Sequence, residues 1–366
     1  MEYLLLAAVG LLSFANGAND NFKGVATLWG SGQSSYRRAL TLATMFTFLG
    51  SLAAARLATG LVSKFNGSTL VGQEIYTQAP FLASVALGAA ATVLLASWLG
   101  LPVSTTHAVT GSLAGAGVLA AGAGKVNFAA LSGGVVLPLL LSPVLSLGLT
   151  FFFLPVVRKL ARGRDCLCVE EAQVMAPATA EGPAAESVLA PPEIRWASAS
   201  ECQAGTELAR GSVSGTLHWL SGAGISFARG LNDTPKIAAL LLVVPASASG
   251  LAGANGSYAL VAAAMALGGM LSAGRVAQTM SRQITPMAAE EAVSANLVTA
   301  ALVALASLAA LPVSTTHVTS GGIFGIGLRR RNEADWKRVR EIALAWAGTL
   351  PLGIVAAAAF YLLLRH

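Results

Sequence analysis

Residues 14–24 carry more polar side chains than a lipid-facing helix can hold. They read FANGANDNFKG and lie between two apolar runs, residues 3–14 and 25–29. A charged side chain near the middle of a bilayer costs about 3 kcal/mol or more, and irregular backbone is tolerated at that depth only where protein or a water-filled cavity surrounds it. We therefore predict a transmembrane segment that is broken at this motif, with the motif facing a functional site.

The composition indicates a polytopic helical membrane protein. Of the 366 residues, 55% are hydrophobic and 11% are charged, whereas a soluble domain is about one-quarter charged. We interpret the net charge of +6 as basic residues that face anionic lipid beside the membrane spans, and we expect no nucleic-acid partner. The N-terminal sequence MEYLLL has no basic region, which predicts no cleaved signal peptide.

The polar motif occurs twice, which indicates an internal duplication. Residues 227–236 read FARGLNDTPK and match the first motif at its Phe, Ala, Gly, Asn, Asp and Lys positions. A second sequence, LPVSTTH, is identical at residues 101–107 and 311–317. From the Asp of the first motif to the Ser of the second, the separation is 84 positions in one half and 81 in the other.

These paired motifs resemble those of the inorganic phosphate transporter family, whose mark is a GANDxxN-type motif in each half. The resemblance covers nearly the whole chain except the middle linker. It implies a secondary active transporter of inorganic phosphate, coupled to Na⁺ or H⁺, and not an enzyme. It also implies that Asp20 and Asp233 are ligands of the coupling ion or the substrate. The chain departs from the family motif at Lys23 and Lys236, where the family has Asn.

The order of apolar segments predicts two membrane repeats, residues 1–157 and 214–366. The linker between them, residues 158–213, is rich in Ala, Pro, Ser and Glu, which indicates a mobile segment. Spans need about 20 apolar residues. On this basis we predict broken spans at 3–29 and 216–245, and further spans at 39–60, 79–99, 107–123, 128–156, 257–280, 290–310, 317–328 and 339–364. The segment at 317–328 is too short to cross alone, so we expect it to continue from the STTH turn.

Basic residues follow the odd-numbered spans, and they set the orientation. They are Arg37, Arg38, Arg158, Lys159, Arg162, Arg164, Arg282, Arg329, Arg330, Arg331, Lys337, Arg338 and Arg340. The loop at 246–256 has no charge. We therefore predict ten crossings of a cell membrane, with both termini outside and the linker in the cytoplasm. Five crossings per half is an odd number, so the predicted fold class is all-α, with two inverted repeats, broken helices and re-entrant STTH hairpins.

The STTH sequences have the composition of an anion site. The preceding proline ends a helix, Ser and Thr are suited to begin the next one, and helix N-termini bind phosphate. The alternative is that these side chains only cap two buried helices. We predict one phosphate cradle whose hydroxyls come from Ser104, Thr105, Thr106, Ser314, Thr315 and Thr316.

The charged residues of the motifs permit more than one role. Asp20 and Asp233, with neutral oxygens from Asn19 and Asn232, are suited to Na⁺ or to a proton; the alternative is a buried ion pair such as Asp20 with Lys236, or Asp233 with Lys23. An ammonium group binds phosphate well. Lys23 and Lys236 are therefore predicted to bind the anion, or to stand where a cation would bind, unless they snorkel to a membrane face.

The remaining polar residues are assigned less specific roles. His107 and His317 either carry a proton or hydrogen-bond the hairpins. We expect Arg56 and Arg275 to be interfacial or to pair helices, with a position facing the site as the alternative. We expect Glu290 and Glu291 to lie in solvent. Arg229 has no charged counterpart, because the matching position of the first motif is Asn16.

Other functions are less consistent with the sequence than phosphate transport. Hydroxyls and amides do not by themselves separate phosphate from sulfate. An anion channel needs an open pore, which paired broken helices do not favour. An enzyme needs an acid to orient the histidine of a Ser–His pair, and none is evident. The sequence is compatible with a homo-oligomer in the bilayer, and it predicts no cofactor and no metal site beyond Na⁺.

All three cysteines, Cys166, Cys168 and Cys202, lie in the linker. The odd number offers no disulfide framework, and we expect reduced thiols. A membrane-impermeant maleimide should therefore label the chain in inverted vesicles and leave it unlabelled in intact cells. Labelling in intact cells would contradict the orientation.

Overall fold

The computed structural model describes residues 1–161, 166–170, 173–175, 187–189, 193–197, 207–243, 254–330 and 333–365. The predictions made for Arg162, Arg164, Cys202, Arg331 and most of the loop at 246–256 fall outside these residues.

Helices form both halves of the chain. The first half contains α1 (Glu2–Asp20), a 3-10 turn (Lys23–Val25), α2 (Ala26–Gly30), α3 (Tyr36–Leu57), a 3-10 turn (Thr59–Leu61), α4 (Val62–Phe65), α5 (Gln73–Tyr76), α6 (Ala79–Trp98), α7 (Thr105–Ala121), a 3-10 turn (Ala123–Lys125), α8 (Phe128–Leu131), a π-helical turn (Ser132–Val136) and α9 (Leu137–Ala161). The second half contains α10 (Val213–Leu242), α11 (Ala254–Ser272), α12 (Gly274–Arg282), α13 (Ala289–Leu308), α14 (Thr315–Arg329) and α15 (Trp336–Leu364).

Between the end of α9 and the start of α10, short strands are present. They are β1 (Cys166–Glu170), β2 (Gln173–Met175), β3 (Ser187–Leu189), β4 (Glu193–Ala197) and β5 (Glu207–Ser212). Strand β1 pairs antiparallel with both β4 and β5, and β2 pairs antiparallel with β3. The all-helical architecture thus holds for the two halves, and these strands lie between them.

The predicted break of the first span is present, and the predicted break of its counterpart is wrong. Helix α1 ends at Asp20 and the chain resumes as a 3-10 turn at Lys23. Helix α10 instead runs through the second motif without interruption, although it contains Pro235. Its charged side chains recur at spacings of four and three residues, so they share one face that is buried against protein. A regular helix therefore exposes none of them to lipid, and unwinding is not required.

Each STTH sequence lies at the tip of a helical hairpin. Helices α6 and α7 are joined by six residues, 99–104. Gly67, in the loop before α6, packs against Phe81 of α6 and Leu113 of α7, so both helices return to one loop. Helices α13 and α14 form the second hairpin, in which Gly322 packs against Ala295.

The two hairpins enter from opposite ends of α9 and meet at their tips. The loop at the base of the first hairpin bonds to Asn127, shortly before α9, through the carbonyl of Leu70 at 3.0 Å. The base of the second contacts Arg158, near the other end of this 25-residue helix, which is about 37 Å long. At the tips, the Thr316 hydroxyl donates to the Val103 carbonyl at 2.7 Å.

The re-entrant STTH hairpins expected from the sequence are present, and their tips meet inside the protein. The pairs predicted as spans at 79–99 with 107–123, and at 290–310 with 317–328, are re-entrant hairpins. Among the described helices, five segments are long and apolar enough to cross a membrane by themselves: α3, α6, α8 with α9, α13 and α15. Helix α11 with α12, bent by 72°, forms a sixth candidate.

Matched positions make matched contacts, each with the other half of the chain. Gly111 and Gly115 of α7 pack against the backbone of α15 at Leu350 and Ile354. Their counterparts in α14 pack in the same way against α9, where Gly321 contacts Pro143 and Gly325 contacts Leu147. A side chain at any of these glycines would collide with backbone. The hairpin of each half is thus held close to the last helix of the other.

Glu291 was expected in solvent and is buried. It lies at the start of α13, where its carboxylate accepts from Arg158 of α9 and, at 2.9 Å, from Arg330 at the end of α14. It also accepts from the backbone N–H of Ala288 at 2.7 Å. Glu291 is buried because two basic residues from separate parts of the chain both contact it at the first turn of α13. The contact joins the base of the second hairpin to the first half of the chain.

Replacing Glu291 with Gln should destabilise the protein by about 2 kcal/mol, because two guanidinium groups lose their anionic partner. The thermal unfolding midpoint of the purified protein measures this effect. Glu290→Gln is the matched control and should leave the midpoint unchanged. Equal midpoints for the two variants would show that the ion pairs contribute no stability.

Candidate functional site

The two hairpin tips meet the end of α1 and the middle of α10 in a buried polar cluster. Its members come from both motifs of both halves, and their side chains are 5% exposed or less apart from His107 at 6%. They are Asn16, Asn19, Asp20, Lys23, Ser104, Thr105, Thr106, His107, Arg229, Asn232, Asp233, Lys236, Ser314, Thr315, Thr316 and His317. Every predicted site residue therefore lies in one place.

Lys23 lies at the centre of a shell made of four oxygen atoms. Its Nζ donates to Asn19 Oδ1 at 2.7 Å, to the Val103 carbonyl at 2.9 Å and to the Thr316 hydroxyl at 2.6 Å, and it pairs with Asp20 Oδ1. Val103 belongs to the first hairpin and Thr316 to the second. One ammonium group thus joins both tips.

Lys236 makes the corresponding contacts, with the roles of the first and second hairpins exchanged. Its Nζ donates to the Val313 carbonyl at 2.7 Å, to the Thr106 hydroxyl at 2.8 Å and to Asp233 Oδ1 at 3.4 Å. The ring of Phe65 lies 5.8 Å from this ammonium. Neither lysine snorkels to a membrane face, because their side chains are only 1% and 3% exposed.

The aspartates pair with the lysines of their own halves. Asp20 pairs with Lys23 and Asp233 with Lys236, three residues along the chain in each case. The alternative ion pairs between halves are therefore wrong, because the helical spacing brings each lysine back to its own aspartate. The hydroxyl of Thr105 donates to Asp20 Oδ2 at 3.0 Å.

The second aspartate has corresponding partners. Thr315 donates to Asp233 Oδ2 at 3.4 Å, and Asn232 donates to Oδ1 at 3.0 Å. Asn16 joins the two carboxylates, because its amide donates to Asp20 Oδ2 at 2.8 Å and lies 3.3 Å from Asp233 Oδ2.

Arg229 is a third buried cation that the sequence left without a role. Its guanidinium donates to Asn16 Oδ1 at 2.6 Å and to Asn21 Oδ1 and Thr47 Oγ1 at 3.1 Å each. Its Nε lies 3.7 Å from Asp233 Oδ2. Arg229 and Asn16 occupy matched positions in the two motifs, and the structure places them in contact. The sequence indicates this role through one difference between the duplicated motifs: only at this position does one motif have a charged residue and the other a neutral one.

The two serines of the STTH sequences cap helices. Ser104 Oγ accepts from the backbone N–H of His107 at 3.1 Å, and Ser314 Oγ accepts from His317 at 3.2 Å. Capping uses the oxygen as an acceptor and leaves the hydroxyl proton free to be donated. Both predicted roles, cap and anion donor, are compatible with this geometry.

Two further serines contact the motif asparagines, and the sequence analysis missed them. Ser97 Oγ accepts from Asn19 Nδ2 at 2.9 Å, and Ser307 donates to Asn232 Oδ1 at 3.2 Å. Each stands seven positions before the serine of its STTH sequence. Comparison of the residues that flank the two identical heptads would have shown this second matched pair.

His107 and His317 are stacked edge to face, with ring centroids 4.6 Å apart. His317 Nδ1 lies 3.3 Å from the Leu139 carbonyl oxygen. The ring centroids of His317 and Trp346 are 4.1 Å apart. Among the described residues, His107 Nδ1 and His317 Nε2 have no hydrogen-bond partner. Arg56 and Arg275 lie outside the cluster and are exposed, and Arg275 donates to the Trp98 carbonyl.

A buried polar site between two hairpin tips, in a duplicated helical chain, is an arrangement typical of many membrane transporters. The family is also identifiable. The chain belongs to the phosphate transporter family, whose model matches residues 16–357. This membership identifies an integral membrane transport protein and rejects the alternative of an enzyme.

Individual relatives agree with this assignment. The chain is 24% identical over its whole length to 97% of a Bacillus subtilis protein named "Probable low-affinity inorganic phosphate transporter". It is 43% identical over 86 residues, 23% of this chain and 13% of the relative, to the "Sodium-dependent phosphate transporter 1-B" of Danio rerio. A solved structure described as "The sodium-dependent phosphate transporter" superimposes with a TM-score of 0.74 over 100% of this chain and 98% of the other, at 20% identity. This last likeness establishes the fold.

Replacing Arg229 with Lys should destabilise the protein by about 3 kcal/mol, because a single ammonium cannot reach all the acceptors that the guanidinium joins. The unfolding midpoint without added phosphate reports this loss. Arg56→Lys, on an exposed residue of α3, is the control and should leave the midpoint unchanged. If Arg229→Lys also unfolds at the parental temperature, the guanidinium does not hold the two halves together.

Proposed function

We propose that the protein is a secondary active transporter that carries inorganic phosphate across a cell membrane, coupled to Na⁺ or H⁺. The observation that carries this proposal is the pair of buried ammonium groups, each bonded to both hairpin tips. Lys23 and Lys236 place two positive charges at the junction of two helix N-termini. Fixed cations beside free backbone N–H groups are the chemistry that recognises an oxyanion.

The phosphate-binding groups are the lysines and the hairpin tips. In the proposed complex, phosphate oxygens replace the Thr106 and Thr316 hydroxyls and the carbonyl groups as partners of the two ammonium groups. The hydroxyls then donate to the anion, together with those of Thr105 and Thr315. The hydroxyl protons of Ser104 and Ser314, and the amides that begin α7 and α14, complete the predicted cradle.

Alternating access between inverted repeats explains why the site is built from two hairpins. The hairpins enter from opposite ends of α9, so movement of one or the other opens the site to one face at a time. A cleft of about 400 Å³ beside the first hairpin tip is lined in part by Ser97, Trp98 and Arg275. Since Ser97 contacts Asn19, this cleft leads towards the cluster.

The coupling-ion groups in this proposal are Asp20 and Asp233, with Asn19 and Asn232. Their oxygens suit Na⁺, and the names of the zebrafish relative and the solved structure specify sodium dependence for those proteins. The buried pair His107 and His317, each with an unpartnered ring nitrogen, offers a proton route instead. The proposed membrane is the cell membrane, with both termini outside and the linker in the cytoplasm.

Uptake by the purified protein in liposomes tests the substrate. Radiolabelled phosphate should accumulate when both a Na⁺ gradient and a pH gradient are imposed, and unlabelled phosphate should compete. Protein-free liposomes are the control. Competition by sulfate as effective as that by phosphate would overturn the substrate assignment, and uptake no greater than in protein-free liposomes would overturn transport itself.

Thr105→Val should raise the phosphate concentration for half-maximal uptake by about ten-fold or more, because a hydroxyl that donates to a charged acceptor is worth about 1.5–3 kcal/mol. Thr110→Val is a matched control on the same helix: its buried hydroxyl has no hydrogen-bond partner in the described part of the chain. The control should transport like the parent. An unchanged half-saturation in Thr105→Val would remove this hydroxyl from the cradle.

A further inference from the structure

We propose that Lys23 and Lys236 are resident cations, which supply the positive charge that phosphate needs and make its transport independent of Na⁺. The inference rests on the proposed function and concerns the same site. It specifies whether transport requires Na⁺, whereas the proposed function allows either Na⁺ or H⁺ as the coupling ion.

The surroundings of Lys23 are those of a bound metal cation. Its Nζ is enclosed by one amide oxygen, one carboxylate oxygen, one backbone carbonyl and one hydroxyl. Hard cations are bound in proteins by oxygen ligands of these kinds. The ammonium occupies the centre of the shell and directs its three N–H groups at these four oxygens. A metal cation therefore has no place in it while the lysine stays charged.

All four carboxylate oxygen atoms of Asp20 and Asp233 also have donor groups beside them. Asp20 Oδ1 pairs with Lys23, and Oδ2 accepts from Asn16 and Thr105. Asp233 Oδ1 accepts from Asn232 and Lys236. Asp233 Oδ2 faces three donor groups, those of Asn16, Thr315 and Arg229. These N–H and O–H groups point towards the positions from which a Na⁺ ion would have to approach, and each would have to turn away first.

The charge count of the cluster leads to the same conclusion. Its three cations are Lys23, Arg229 and Lys236, and its two anions are Asp20 and Asp233. With both imidazoles neutral, the formal charge is +1. An uncompensated charge is costly in a buried site, and an arriving anion compensates it. Adding Na⁺ to the substrate-free cluster would increase the imbalance, whereas a phosphate monoanion would bring the formal charge to zero without an added cation.

The duplication supports a functional role for both ammonium groups. Lys23 and Lys236 occupy matched positions, and each bonds to one carbonyl of its own hairpin and to one threonine of the other. Any buried lysine needs polar partners, but packing alone does not require that they come from both hairpins. Both are instead placed where the tips must separate to admit a substrate.

The parent protein provides the first test. Phosphate uptake is measured in liposomes with the same pH gradient throughout, in sodium chloride, potassium chloride or choline chloride. The expected initial rates agree to within about two-fold in the three salts. A rate in choline at least about ten-fold below that in sodium would overturn the inference. Such a result would leave phosphate transport intact, whereas an absence of uptake in every salt would overturn the proposed function.

The second test removes the resident charges. In the double variant Lys23→Asn, Lys236→Asn, uptake in choline should fall by about ten-fold or more, and sodium should restore part of it. Lys125→Asn changes an exposed lysine and is the matched control, with uptake expected to be the same in all three salts. A double variant that transports as the parent does, without a sodium response, would overturn the inference. If the double variant does not fold, the salt series with the parent decides alone.

Discussion

The position of two ammonium groups at the junction of the hairpin tips is the constraint on which the rest of the structure depends. A buried charge is stable only when it is paired and hydrogen-bonded. Lys23 and Lys236 meet this condition by drawing oxygens from α1, α10 and both hairpins into two shells. Neither half of the chain can complete its shell alone. The polar centre therefore specifies how the two halves must associate.

The apolar parts of the molecule serve the same arrangement. For the hairpin tips to reach the centre, α7 and α14 must pass close to α15 and α9, and matched glycines allow this approach. The bases of the hairpins lie far apart along α9, and the second is tied to that helix by Glu291. Hairpins that meet at their tips and are anchored at their bases suit the proposed exposure of the site to each face in turn.

Much of this architecture was predictable because each motif occurs twice in the sequence. The identical LPVSTTH heptads and the paired Asn-Asp-x-x-Lys motifs predicted residues that lie together in one buried cluster. The apolar runs predicted most of the long helices to within a few residues, and two pairs of them form hairpins. The continuity of α10 was not predictable, because the motif looks the same whether its polar face meets protein or lipid. The burial of Glu291 depends on Arg158, 133 residues away, and no local pattern encodes that contact.

The contact between Arg229 and Asn16 has a consequence for how such a chain evolves. Because these two matched positions are in contact with each other, any residue shared by both copies would meet itself. Two arginines would bring like charges together in a buried site, and two asparagines would remove the third cation. A single positive charge at this pair of positions therefore requires that the two halves of the chain differ there. The two halves are thus no longer interchangeable, and an artificial chain made from either one in duplicate would lose the charge balance of the natural pair.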